Sequence, residues 1–362
     1  MHKAISAGLG LPGTTIVLAL LRQGWELIAA DPKPVTARTT ERVYGPADVG
    51  KPKVLALQQQ AAAIGRLDQL SARWGRIEDA IGGQEWRQAE LIVLATDRPA
   101  TTRRVTEICL RLATPNHPLS LLTCHVSEGA AQVRSFLFPL AAGPCPLCGS
   151  GEAFISSILS EDGFSCEQAV AEGGDAFTTP YGAAEGYAAA ALALSAIGGP
   201  AGVDTTLALS PACEAFVSRL NQDPDCLLDC ARVTPWPEAT VTLGATEPIR
   251  SALSAVARDA GFARGAARLE FLRPLALGSE CGCGRCDEPR VFRNPCPHCQ
   301  SPVVALEGWT SELALDQLRP GASAASLGLP ARDLMLLRGR GRTPGQPQAA
   351  VTIAVEGQVQ DD

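Results

Sequence analysis

The glycines of Gly8-Leu9-Gly10-Leu11-Pro12-Gly13 follow a short apolar stretch, 2–8, and open a run with helical spacing over 12–23. Glycine at these three places permits a tight turn, a close backbone approach to phosphate and close packing of helix on strand. The unpaired N–H groups of the helix start attract an anion. A second apolar run, 25–30, ends in Asp31, whose carboxylate can accept from a ribose hydroxyl. Taken alone, these residues read as the dinucleotide site of an oxidoreductase.

The residues that follow argue for a triphosphate. Asp31-Pro32-Lys33-Pro34-Val35 leads to Arg42, then to Asp48-Val49-Gly50-Lys51-Pro52-Lys53, and an apolar run over 91–95 ends in Thr96-Asp97. The two cations Arg42 and Lys53 would hold phosphates and stabilise pyrophosphate as it leaves, and Asp97 could hold magnesium. Each residue also has a plainer reading: Asp31 as a loop cap, Lys53 as a solvated residue in a first helical turn, Arg42 as a surface arginine.

The chain has thirteen cysteines, several in CxxC pairs, which in a reducing compartment read as metal ligands before disulfides. Cys145 and Cys148 with Cys226 and Cys230 form two close pairs far apart in sequence, a set of four thiolates able to close a tetrahedral zinc site. Cys283, Cys286, Cys296 and Cys299 have the spacing of a zinc ribbon, with Cys281 and His298 nearby. The alternative is one site shared between pairs from the two groups. Cys166 lies in an acidic loop between Glu161, Asp162 and Glu167, where it is either a nucleophile or an incidental thiol. Cys109, Cys124 and Cys213 have apolar neighbours and are expected in the core.

In order and spacing these pieces resemble the ThiF/MoeB family of ATP-dependent adenylyltransferases, which includes the activating enzymes of ubiquitin and ubiquitin-like proteins. The glycine loop, Asp31 and Val35, Arg42 seven residues on, the Val-Gly-Lys-Pro-Lys run ending at Lys53, and Ala95-Thr96-Asp97 before an arginine-bearing helix carry the resemblance. It continues through His125-Val126-Ser127-Glu128-Gly129, the CxxC at Cys145 and Asp223-Pro224-Asp225-Cys226, and so covers roughly 3–235. It implies a Rossmann-like, mostly parallel sheet with helices on both faces. It also implies ATP with Mg2+ held by Gly8, Gly10, Gly13, Asp31, Arg42, Lys53 and Asp97, and a zinc on Cys145, Cys148, Cys226 and Cys230. The implied reaction adenylates the C-terminal carboxylate of a ubiquitin-like or sulfur-carrier protein. Thioester formation on Cys166, a conjugating enzyme as partner and homodimerisation are further implications. A short peptide as acceptor, or an inactive scaffold that binds a ubiquitin-like protein, are the rival expectations. The chain departs from the family pattern in several places. Three residues, not two, separate Cys226 from Cys230, Thr39 stands where the family has asparagine, Arg103 falls one residue late, and an arginine-bearing segment ahead of the first strand is expected to be missing.

These residues need a scaffold. Apolar runs at 2–8, 25–30, 71–77 and 91–96 alternate with helical periodicity at 12–23 and 48–65, which predicts an α/β fold with a parallel sheet. A helix over 99–112, strands 119–126 and 133–139, a helix from 183 to 197 and a strand at 205–209 follow. Pro235-Trp236-Pro237 marks a boundary, giving an adenylation domain at 1–235 and a smaller α+β domain with the zinc ribbon at 236–362. Strands are expected there at 239–243, 267–272, 302–306 and 349–355, and a helix at 248–261. Residues 338–342 read as a solvated basic loop.

With 46% hydrophobic residues, 362 residues can bury a sizeable core. A net charge of −7 without a long basic block argues against nucleic acid as a partner. No signal peptide is read at the start, and the run at 183–197 is too short and alanine-rich to span a bilayer, so a soluble, cytoplasmic protein without a membrane partner is expected.

Overall fold

The computed structural model describes residues 2–37, 43–140, 143–151, 182–210, 212–263, 265–277, 309–330, 332–340 and 349–356, with Ser156 and the short pieces 279–280, 290–291 and 304–305. Contacts divide the chain into two compact units. One comprises Met1–Ala80 and Trp86–Pro235, the other Ile81–Glu85 and Trp236–Asp362.

The first unit is built on an eight-stranded sheet of order β3-β2-β1-β4-β5-β6-β7-β8. β1 (Lys3–Ala7), β2 (Glu26–Asp31), β3 (Leu70–Trp74), β4 (Leu91–Leu94) and β5 (Leu119–Ser127) pair in parallel. β6 (Ala130–Phe138), β7 (Val203–Ala208) and β8 (Glu214–Arg219) extend the sheet antiparallel. β4 is apolar throughout and β1 is apolar apart from Lys3 and Ser6, and past the half-buried Lys3 both are buried on both faces, as central parallel strands must be. α1 (Leu11–Arg22), α2 (Lys53–Ala63) and α6 (Ala183–Ala196) cover one face, and two short helices, α3 (Ile77–Ala80) and α4 (Gly83–Gln88), lie in the chain between β3 and β4. There Ile16, Val17, Leu20 and Leu21 join Leu57, Ala190, Leu91, Val93, Leu122 and Val133 in one apolar cluster. Each fully buried leucine or isoleucine contributes about 1.5–3 kcal/mol, so α1 is held by its packing rather than by helix propensity. Ile92 and Leu94 alternate to the opposite face and are equally buried. α5 (Pro99–Leu112), the crossover from β4 to β5, buries Val105, Ile108, Cys109 and Leu112.

Two elements differ from their sequence expectations. The helix expected over 48–65 begins only at Lys53, because the preceding residues pair elsewhere. Gly50 N–H donates to Val35 O, Val35 N–H to Lys51 O and Lys53 N–H to Lys33 O, and Pro34 bridges Pro52. β8, unrecognised in the sequence, is exposed at every residue, so it carries no alternation of burial and exists through its ladder with β7.

The second unit holds a six-stranded sheet in which β12-β10-β15-β16-β9 run in order and β14 pairs with β10. Its main strands are β9 (Ala239–Gly244), β10 (Arg268–Ala276), β14 (Trp309–Ala314), β15 (Leu334–Gly339) and β16 (Ala349–Glu356). β11 (Ser279–Glu280), β12 (Arg290–Val291) and β13 (Val304–Ala305) are short. Ile249 and Leu253 of α7 (Ile249–Asp259) pack with Leu269, Phe271, Met335, Leu337 and Ile353. Arg338, expected in a solvated basic loop, instead lies in β15, where Nη2 meets Glu270 Oε2 at 3.0 Å.

Ile81–Glu85 belongs to this second unit although it precedes β4 in the chain. Gly83 N–H donates to Asp333 Oδ1 at 3.0 Å and Gln84 N–H to Arg332 O at 2.8 Å. The fully buried Arg273 pairs with Asp333 and donates to Ile81 O. Truncating Asp333 would strand that guanidinium in an apolar interior. We therefore expect D333A to destabilise this unit by roughly 3–5 kcal/mol in urea unfolding, far more than a surface substitution costs.

Candidate active site

The loop after β1 is shaped by two backbone demands. Gly8 has φ of +84°, and a Cβ there would lie 2.2 Å from Ala95 O; a Cβ on Gly13 would lie 1.9 Å from Gly8 O. Neither position tolerates a side chain. G8A is expected to cost roughly 2 kcal/mol or more in thermal or urea unfolding, and an unchanged midpoint would mean that the loop can relax freely. Gly10 caps α1 without a side chain, Pro12 occupies the first turn and no acidic residue lies there, so the helix start offers its N–H groups outward.

Beneath the loop lies Tyr44, which the sequence reading overlooked. Its hydroxyl donates to Leu9 O at 2.9 Å and lies 2.9 Å from Thr14 Oγ1, and burial holds the phenol in its protonated form. Tyr44 packs with Val35 and Ala56, so its only signal in the sequence was an aromatic in a loop otherwise rich in polar residues.

Asp31, 3% exposed at the end of β2, accepts from Leu9 N–H through Oδ2 at 2.6 Å and from Lys33 N–H through Oδ1 at 2.7 Å. It thus fixes the glycine loop from below. Lys53, at the start of α2, brings its Nζ to 3.7 Å from Asp31 Oδ2, with both side chains almost wholly buried. That separation is too long for a hydrogen bond, so among the described residues the ammonium has a countercharge but no acceptor for its three protons. Asp97, just past β4, meets Lys33 Nζ at 3.5 Å. Lys33 is a second residue to which the sequence reading assigned no role, though its place two residues after a strand-end aspartate was the available signal. Gly8, Gly10, Gly13, Asp31, Lys53 and Asp97 all sit at the carboxyl ends of β1, β2 and β4 or on the helices that follow, the edge where open α/β sheets bind ligands. Arg42 and Cys166 lie outside the described residues.

Cys145, Cys148, Cys226 and Cys230 converge with their sulfurs all within 4.8 Å of one another. Cys145 Sγ is 3.5 Å from that of Cys226 and 3.8 Å from that of Cys148, and the Cys148 and Cys230 sulfurs are 3.7 Å apart. Four zinc–sulfur bonds of about 2.3 Å in tetrahedral array require edges of about 3.8 Å, so the donor set could hold zinc. The three-residue spacer is accommodated by Asp229, whose φ of +44° turns the chain so that Cys230 returns to the cluster. Asp223 supports both halves, accepting from Gly149 N–H at 3.2 Å and from Asp225 N–H at 2.9 Å. Burial pushes the Cys230 thiol up to about 12 and raises that of Cys145 as well, so metal binding here would displace protons. Cys283, Cys286, Cys296 and Cys299 lie outside the described residues. Cys109 and Cys124 are buried as expected, whereas Cys213 is exposed with φ of +49° in the β7–β8 turn, because that hairpin projects from the sheet edge. No helix among the described residues is long and apolar enough to cross a membrane.

Comparison with solved structures finds similarity to E. coli MccB with ATP, at 16% identity over 62% of this chain and 66% of that one, with a TM-score of 0.46. MccB alone aligns at 16% identity over 66% of this chain and 68% of its own, with a TM-score of 0.47. Selenomethionine PaaA aligns at 14% identity over 61% and 64%, with a TM-score of 0.42. The chain thus spans about two thirds of the length of these relatives. No curated protein matches the sequence. A family profile described as ThiF family matches residues 3–230, the whole stretch from β1 to the last cysteine of the metal cluster. With the profile covering well over half of the chain, and the glycine loop, Asp31, Lys53, Asp97 and the four cysteines all inside it, the protein belongs to the ThiF family.

Proposed function

We propose that the protein uses ATP to adenylate the C-terminal carboxylate of a peptide or of a small ubiquitin-like or sulfur-carrier protein. The observation that supports this most is the buried Lys53 side chain beside the glycine loop, whose ammonium has a countercharge but, among the described residues, no hydrogen-bond acceptor. A triphosphate would supply the acceptors. The family match adds to this reading.

In the proposed reaction the glycine loop and the α1 N-terminus bind phosphate oxygens, and Asp31 accepts from a ribose hydroxyl while retaining its hold on Leu9. Lys53, with Arg42, neutralises the charge that grows on the leaving pyrophosphate. Magnesium, when bound, would spread triphosphate charge, and Asp97 would hold it, giving up its ion pair with Lys33. An oxygen of the acceptor carboxylate forms a bond to the α-phosphorus. The bond from that phosphorus to the β-bridging oxygen breaks, leaving an acyl-adenylate and pyrophosphate. Both reactants are held in place, so positioning and charge stabilisation supply the rate and no general base is required. The zinc site has a separate role: four thiolates leave no open coordination position, so it would pin the segment at Cys145 to that at Cys226.

Exchange of labelled pyrophosphate into ATP, dependent on a glycine-ended β-grasp protein or a short peptide, is the measurement that tests this function. ATP binding without exchange for any acceptor of either kind would favour a binding scaffold instead.

A further inference from the structure

The antiparallel part of the first unit's sheet presents an ordered polar row that the proposed nucleotide chemistry does not use. Registers place His125 of β5 opposite Gln132 of β6, Gln132 opposite Thr206 of β7, and Thr206 opposite Phe216 of β8. One step along, Arg134 lies opposite Asp204. Directly paired residues share a face, and side chains two apart on a strand do too, so all six stand on one side of the sheet. It is the side opposite the cluster formed by Cys124 and Val133 with α1 and α6.

Asp204 is 8% exposed and its carboxylate is fully engaged. Oδ2 accepts from Arg134 Nε at 2.9 Å and from Gln132 Nε2 at 2.8 Å, and Oδ1 accepts from Thr206 Oγ1 at 3.4 Å. Such a grip through Nε fixes the guanidinium plane. It leaves both terminal nitrogens, the pair that binds a carboxylate in bidentate fashion, without a partner among the described residues. The Arg134 side chain is 31% exposed, so the fork is open to solvent. His125 does not compete as a cation: burial first, and then the nearby Arg134 charge, hold its pKa down to about 4. Phe216, 56% exposed, ends the row with a bare aromatic face.

We infer that Arg134, held by Asp204, receives an acidic side chain of the acceptor, about four residues upstream of the carboxylate that reacts, an estimate set by two strand spacings of about 4.8 Å between β4 and β6, the three-residue offset between Leu94, level with Arg134, and Asp97, and about 3.3 Å per extended residue. This rests on the adenylation reading for the position of the reacting end, near Asp97 at the end of β4. Phe216 lies two strands further out and would meet an apolar residue earlier in the same extended segment. Arg134 is thus a specificity-determining residue for this reaction. Its bidentate geometry separates Asp or Glu from their amides.

The test uses the full chain and peptides tethered at the amino terminus, with the residues before a free carboxylate randomised. The wild type should enrich Asp or Glu at the fourth or fifth position from the end, and R134Q should lose that enrichment. Binding of a selected peptide should weaken about tenfold in R134K, which keeps the charge but lacks the fork. Unfolding curves control for the loss of the Asp204 pair. R134K carries the test alone if R134Q unfolds. No acidic enrichment in the wild type, enrichment unchanged in R134Q, or R134K binding as tightly as the wild type would each overturn the assignment. ATP–Mg binding is titrated separately. If the acidic preference depends on Arg134 but ATP does not bind, the adenylation reading fails while the carboxylate receptor stands.

Discussion

K53A is expected to lower acceptor-dependent ATP–pyrophosphate exchange by about 100- to 1000-fold, the usual loss when one preorganised donor to a developing charge is removed. The effect should be large because the ammonium is buried, where a charge is worth far more than at a solvated surface. K53A also leaves Asp31 without its cation, so part of the loss could come from a loosened glycine loop. K53M separates the two contributions, since its stem keeps the packing of α2 against the sheet while the charge is gone. Both variants should lose exchange alike, with the unfolding midpoint of K53M nearer to that of the wild type. Exchange unaffected in a folded K53M would count decisively against the phosphate assignment.

C148S and C226S should each remove about one equivalent of zinc per chain, measured by elemental analysis, since a tetrahedral thiolate site does not survive the loss of one ligand at ordinary metal concentrations. Cys148 and Cys226 belong to segments 78 positions apart that meet at the cluster and at Asp223. Losing the metal should therefore lower the melting temperature of the first unit by several degrees, and a strong chelator should reproduce the shift on the wild type. The same substitutions should leave the buried cysteines Cys109 and Cys124 unreactive towards thiol reagents below the melting transition. Unchanged zinc content in both variants would mean that the metal, if any, resides elsewhere in the chain.

Much of the nucleotide edge was legible because its parts are local. A glycine loop between an apolar run and a helical period, and acidic residues where apolar runs stop, are patterns of a few residues each. β1, α1, β2, β4 and α5 fall where those patterns predict. The misses were non-local. Tyr44 and Lys33 matter through partners far off or out of pattern, namely the Leu9 carbonyl and Asp97. The start of α2 was misplaced because residues 50–53 are recruited by 33–35, an exchange of backbone partners that no single window displays. Cys213 was misjudged because apolar neighbours in sequence do not imply burial at a hairpin tip.

By itself the sequence determined the alternation of strand and helix, the glycine positions that no other residue can fill, and which side chains could bear charge or bind metal. Periodicity and steric exclusion act within a few residues, and both are written in the chain. Only the tertiary structure decided that four cysteines with an unfamiliar spacer meet within 4.8 Å, that Lys53 shares a burial with Asp31, and that Ile81–Glu85 folds with residues beyond Trp236. It also decided that Arg134, 31% exposed, presents its fork on the sheet face opposite α1 and α6, because Asp204 reaches Nε from the next strand. Those outcomes depend on which strands become neighbours and on where backbone hydrogen bonds find partners, and both are settled by burying the whole core at once rather than by any one segment.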